Sequence, residues 1–174
     1  LKEWLRATSS SDVNRQNEEL LSYSERLMRA TLRELRDGTY QFTDYLDGDG
    51  GSANHIPIPV VITVQGDDVT VDFRLAPDSV PGPLNAVRAI AVSAVFYCFR
   101  CFAGDHIPAN TGLMRPITIL TRPGSIIDAR PPAAVAAGNV ETSQRIVDAI
   151  FGALAQAAPQ RIPAASCGTM NNIL

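Results

Sequence analysis

AVRAIAVSAVFYCFRCF, residues 86 to 102, is the stretch whose reading decides the fold. It is apolar nearly all round, and a segment of that kind is either a helix buried in a core or a membrane span. Arg88 and Arg100 bracket fewer residues than the ~20 a bilayer needs, so the spacing predicts a central core helix. Just upstream, in VVITVQGDDVTVDFR (60 to 74), Val60, Ile62 and Val64 alternate with Val61, Thr63 and Gln65. After Gly66-Asp67 the alternation resumes at Val69, Val71 and Phe73. Glycine at the first turn position predicts a hairpin through a type II′ turn, and Pro57 and Pro59 put its beginning at a sheet edge or a strand start. A hairpin followed by a buried helix predicts an α+β domain with a largely antiparallel or mixed sheet.

Two amphipathic helices complete that expectation. From Asn14 to Arg36, Leu20, Leu21, Leu27, Met28, Leu32 and Leu35 recur at helical spacing, with acids early and arginines late, as the macrodipole favours. Asp37-Gly38 is the stop, and Ser11, Asn14 and Asn17 are the alternatives for the N-cap. From Asn139 to Ala157 a second stripe runs through Val140, Ile146, Val147, Ile150, Phe151 and Leu154, with Glu141, Gln144, Arg145 and Asp148 on its wetter side. Thr39 to Leu46, Ile117 to Leu120 and Ser125 to Ile127 read as extended, as does part of Ile162 to Met170, where Ser166, Cys167 and Thr169 offer polar groups. The acidic turn 47–51 imitates a calcium loop, but Ile58 stands where that loop needs a bidentate Glu. It also imitates a dinucleotide fingerprint, yet Pro57 and Pro59 follow where a helix should begin. Both motifs fail, and a turn between strands remains.

At 174 residues, 45% hydrophobic and 19% charged, the chain reads as a single domain over 1–174 with a real core. A net charge of -3, with both signs mixed along the chain, offers no footprint for nucleic acid or an anionic membrane. The first residues read as neither a signal nor a transit sequence, and suggest a piece of a longer chain. Cys98 and Cys101 lie near the end of the apolar helix, where no N-terminal dipole stabilises a thiolate, and read as small core residues. With Cys167 the total is three, which suits a reducing compartment, the cytoplasm, better than a disulfide framework or an all-cysteine zinc site.

The candidate site is the loop AGDHIPANTGLMRP, 103 to 116, held between the apolar helix and a strand. Gly104, Gly112, Pro108 and Pro116 predetermine its backbone. Asp105, His106, Asn110 and Arg115 supply a carboxylate, an imidazole, an amide and a guanidinium. These four could orient a polar ligand, or cap and cross-tie the loop itself, with Arg115 paired to Asp105. Cys167 with His106 is a further arrangement of nucleophile and base. No serine-hydrolase elbow, phosphate loop or clustered-histidine metal site is present.

The order of blocks LLSYSERLMRATLRELRDGTY, DYLDGDG, VTVDF, GPLNA, IPANTGLMRPI, RPGSIIDARPPAAV and ETSQRIVDAIFGALAQAAPQRIPAASCGT resembles the hydantoinase B family. That family takes in the B subunits of ATP-dependent N-methylhydantoinases, the C-terminal part of 5-oxoprolinases and the alpha subunits of ketone carboxylases. The resemblance implies ATP-dependent opening of a small cyclic amide, or carboxylation of a ketone. It also implies a companion hydantoinase A-type, actin-like ATPase subunit that handles the nucleotide, and a divalent metal in the parent protein. The family's His and Asp metal ligands fall before the first of these blocks, so no metal ligand or cofactor site is expected within the 174 residues. Where relatives carry a small Gly-Thr motif after the Val-Asp-Phe strand, this chain has Arg74-Leu75-Ala76-Pro77-Asp78. The chain thus reads as a C-terminal-half fragment of a B-type subunit, inactive alone, that contributes walls and loops together with the remainder of its own chain. The alternative implied is a carboxylase fragment or a non-catalytic subunit-assembly domain.

Overall fold

The computed structural model describes residues 9–169. Helix α1 spans Ser10–Leu32, and its N-cap is Ser9, whose Oγ accepts from the Asp12 amide at 3.2 Å. None of Ser11, Asn14 or Asn17 serves. A serine cap with an acid in the first turn starts the helix on its own, so its polar opening turns need no apolar stripe beneath them. At the other end α1 stops at Leu32, short of Arg36, because the chain tightens through Glu34 N–H to Thr31 O and Leu35 N–H to Leu32 O bonds. Leu35 remains buried after the turn.

The sheet is mixed, with strand order β1-β2-β3-β4: β1 is Gly38–Gly48, β2 Asn54–Gln65, β3 Asp68–Asp72 and β4 Ile117–Leu120. The first three form an antiparallel meander, and β4 joins parallel to β3. A parallel neighbour needs a crossover, and helix α2 (Arg88–Ala103) lies in that connection. The turn at Gly66-Asp67 has a left-handed glycine (φ 63°) followed by an aspartate outside that region, as type II′ requires.

Strand β2 begins before the prolines instead of after them. Pro57 and Pro59 stand opposite Tyr45 and Thr43, and over 54–60 the strand pairs with β1 alone. Having no N–H, both prolines occupy non-hydrogen-bonded pairs, where the missing donor faces the unpaired side of β2 and costs nothing. His55 takes a left-handed backbone (φ 52°) beside them, its ring stacked on Tyr45 at 4.1 Å.

Ile56, Ile58, Val60 and Ile62 of β2, with Val69 and Val71 of β3, face the core below helix α3 (Ser143–Ala157), which a π-turn at Gly138–Thr142 introduces. Ile146, Ala149, Ile150, Ala153 and Leu154 form the buried face of α3, and Met28 and Leu32 bring α1 to the same core. Fully burying each of the Val, Ile, Leu and Met side chains among them contributes about 1.5–3 kcal/mol. Helix α2 buries Ala91, Ala94, Val95, Cys98, Phe99 and Phe102, while Ser93, Tyr97 and Cys101 are exposed. It is therefore central but one-sided. Cys98 is the small core residue expected, and burial pushes its thiol well up; Cys101 lies outside, beside Tyr97, whose phenol it raises. Ser125 to Ile127 is a turn with one bridge, Asp78 to Ser125, and 162–169 holds no strand. Met170 lies outside the described residues.

The segment 80–86, which includes the GPLNA block, knits the long connections together. Asn85 is fully buried; its amide donates to the carbonyls of Val80 (2.9 Å), Gly82 (3.0 Å) and Ala134 (2.8 Å), and its Oδ1 accepts from Val80 N–H (2.7 Å). Ala86 exchanges main-chain bonds with Ile126 and Ala129, and the Thr142 hydroxyl donates to Leu84 O.

Asp49 performs a similar task in the 47–51 turn. One carboxylate oxygen accepts from the amides of Gly51 (2.9 Å) and Ala53 (3.1 Å), and the other from Gly82 (3.0 Å). These N–H groups, Gly51 foremost, hold its carboxyl below the usual range. A depressed folded pKa stabilises above the unfolded value of about 3.9, and that stability is lost as pH falls through the folded value. The melting-temperature gap between wild type and Asp49→Ala should be widest near neutrality and close below about pH 4. A gap independent of pH in thermal melts would refute the carboxylate's role.

Candidate functional site

Gly104, at φ 83°, ends α2, and the Arg100 guanidinium donates to the carbonyls of Gly104 and Asp105. Asp105 and His106 come next and are exposed; neither side chain has a hydrogen bond or ion pair among the described residues. Ile107 then turns into the core, 1% exposed. Beyond it the loop turns onto α1. Asn110 Oδ1 accepts from Gly112 N–H at 2.9 Å, capping a short 3-10 helix at Thr111–Met114, and its Nδ2 donates to Ser24 Oγ at 2.8 Å. Gly112 lies so close to α1 that a Cβ there would stand 2.1 Å from the Leu21 carbonyl oxygen.

Arg115 reaches the same helix. Its Nη2 donates to Glu18 at 2.7 Å, and its Nη1 lies 3.4 Å from both Glu25 and Ser22. The Glu18 carboxylate raises the guanidinium further, and Arg29, then Arg115, lowers Glu25. The expected tie to Asp105 is not formed; the partners are 97 and 90 residues away along the chain. The structure thus brings Asn110 and Arg115 together on α1 and leaves Asp105 and His106 at the surface.

A second feature was not legible in the sequence. Between α2 and α3 lies a cavity of about 490 Å³ whose lining includes Ser93, Tyr97, Asn139, Gln144, Asp148 and Ser166. Asp148 and Arg145, expected on the wetter side of α3, are turned inward: Asp148 is 8% exposed and pairs with Arg145 at 3.0 Å. Arg145 also bonds Asp44 of β1 at 2.9 Å, and Ser166 Oγ donates to Asp148 at 3.1 Å. Gly168 (φ 75°) lets the Arg145 guanidinium lie against the chain where a Cβ would sit 0.9 Å from Nη2. The charges are spent on one another, so this cavity offers hydroxyls and amides over an apolar floor. The i,i+3 spacing of Arg145 and Asp148 was the visible signal, but only Asp44 and the C-terminal segment show which way the pair faces.

Among the described residues, no three His, Cys, Asp or Glu side chains are placed to hold a metal ion, and no helix is long and apolar enough to cross a membrane.

The Hydantoinase B/oxoprolinase family model matches residues 1–174. A 5-oxoprolinase of Saccharomyces cerevisiae is 40% identical over 114 residues, covering 66% of this chain and 9% of that protein. Caprolactamase subunit beta of Pseudomonas jessenii is 31% identical over 147 residues, covering 84% of this chain and 25% of that protein. The crystal structure of the ATP-dependent caprolactamase from Pseudomonas jessenii superposes with a TM-score of 0.82 at 30% identity, over 91% of this chain and 28% of that one. The chain therefore spans only about a quarter, or less, of the length of the relatives it matches. With the family model covering every residue and the fold shared with a solved relative, the chain belongs to the hydantoinase B/oxoprolinase family.

Proposed function

We propose that this chain is part of the B-type subunit of an ATP-dependent cyclic-amide hydrolase, acting in the cytoplasm on a small lactam or imide ring. The whole-chain family match carries this reading, and relatives named 5-oxoprolinase and caprolactamase support it. ATP would be handled by a companion actin-like subunit, which would activate the ring amide. Any divalent metal would draw its ligands from elsewhere in the parent, as the family resemblance implies. The residues here would supply walls and loops and be inactive by themselves. Within the loop 103–116, Asp105 and His106 are the groups proposed to face a ligand, because Asn110 and Arg115 are engaged by α1.

The full-length subunit with its companion should hydrolyse ATP at least about tenfold faster when a five-membered cyclic amide is added, a modest demand on a coupled enzyme. Stimulation by ketone and bicarbonate instead would make the parent a carboxylase. Asp105→Ala and His106→Ala in that assembly should each lower turnover about tenfold or more, with the assembly intact. Loss of the assembly would make the loop a subunit interface.

A further inference from the structure

The sheet has two edges of unequal kind. At one end β4 is four residues long, and a short edge strand is itself a protection against stray pairing. At the other end β1 is eleven residues long, with a register to β2 that runs unbroken from Gly38↔Val64 to Leu46↔Ile56. It contains no lysine, proline or bulge, the usual means of blunting an edge. Asp44 does not guard the edge either, because Arg145 holds it at 2.9 Å.

Among the described residues, the main chain of this edge has no partner strand. The proline pairings make Thr43↔Pro59 and Tyr45↔Pro57 non-hydrogen-bonded pairs, so Gln41, Thr43 and Tyr45 turn their N–H and C=O groups away from β2. Two of these groups have side-chain partners: Tyr45 N–H donates to Asp44 Oδ1 at 2.8 Å, and Gln41 O accepts from Gln156 at 2.7 Å. The Gln41 amide and both main-chain groups of Thr43 face outward between them. Hollows flank the edge on both sides. One of about 220 Å³ has Phe42, Phe151, Ala155 and Ile162 in its lining, with the mutually paired Asp44, Arg145 and Asp148 beside them; another of about 430 Å³ lies beside Thr43 and Leu75, which is 71% exposed. Phe42 itself, on the core side of β1, is left 41% exposed.

We propose that the outer edge of β1 is completed, in the full-length subunit, by a strand of the same polypeptide from outside these residues. Its core-facing side chains would be apolar and would fill the hollow beside Phe42. This occupant rests on the reading above that the chain is part of a longer subunit, since the matched relatives are about three times its length or more. An added strand supplies main-chain partners to the outward groups and finishes the core where Phe42 leaves it open.

Hydrogen exchange, with fragmentation that resolves single amides, on the full-length subunit purified alone tests this. The amides of Gln41 and Thr43 should exchange at least about 100-fold more slowly than unstructured chain, at every protein concentration. Exchange near the unstructured rate would overturn the proposal. So would protection that appears only as concentration rises, which marks a second copy, or only on adding the companion subunit. Failure of the functional reading would show separately, as absent ATP-coupled turnover with these amides still protected.

Discussion

Gly112→Ala is expected to lower the melting temperature by roughly 6–12 °C, the shift that about 3 kcal/mol produces in a chain of this size. The added Cβ would stand 2.1 Å from the Leu21 carbonyl oxygen, 2.7 Å from its carbon and 2.8 Å from its Cα. All three are main-chain atoms of α1, so no rotamer change relieves the clash. Either the helix or the loop must retreat. A retreat stretches the Asn110 to Ser24 bond and the Arg115 to Glu18 pair, and it opens the packing over Leu113, which is fully buried. The exposed ion pair contributes little, so most of the loss comes from disturbed packing. Gly124 provides the control: a Cβ there meets nothing within 4 Å, and the cost is only that of its left-handed backbone at φ 85°. A Gly112→Ala melt within about 2 °C of wild type would show that loop and helix can separate at no cost.

The second large effect is Asn85→Asp, a change of almost no volume. Two polar hydrogens pointing at three carbonyls would be replaced by an oxygen pointing at the same three. A carboxylate there is buried, charged and faced by acceptors; a protonated carboxyl restores one donor at most. The expected loss near neutrality is about 4 kcal/mol, or roughly 8–16 °C. The pH dependence identifies the cause. Burial among acceptors raises the folded-state pKa of the introduced acid, so the penalty is smallest below the unfolded value of about 3.9 and grows as pH rises through the folded one. Asn85→Leu loses the same bonds but should show no such slope. Parallel slopes for the two variants in pH-resolved melts would mean that the charge is not what disrupts the site.

These two positions also show what the sequence could and could not reveal. Periodicity located α1, the hairpin and α3, because each buries one face at a spacing that its own residues record, whereas α2 was located by its unbroken apolar run and β1 by its aromatic and threonine residues. The position of Ser9 as cap was hidden among neighbouring serines that differ only in backbone geometry. The parallel pairing of β3 with β4 was hidden because four residues carry no orientation, and the crossover that sets it is tertiary. The site fared less well for the same reason. Asn110 and Arg115 stood out by type, yet their partners Ser24, Glu18 and Glu25 are 86 to 97 residues away. The inward turn of Arg145 and Asp148 depends on Asp44, 101 residues from Arg145. The GPLNA block is one of those that carried the family resemblance, but its chemistry in this structure is that of a buried fastening.

The clasp between α1 and the Asn110–Arg115 loop has a consequence for biosynthesis. Ser24 leaves the ribosome 86 residues before Asn110, its hydrogen-bonding partner. At about 5–20 residues per second that is on the order of 4–17 s. For that time the nascent helix has its charged face complete but lacks the loop that seats it, and Leu21, Met28 and Leu32 are available to any passing apolar surface. The meander β1 to β3, whose contacts are local, forms within the same interval and can shelter only part of that stripe. Slowing translation between residues 33 and 112 should therefore increase the capture of this chain by holdase chaperones, whereas a pause after α3 has also left the ribosome should not.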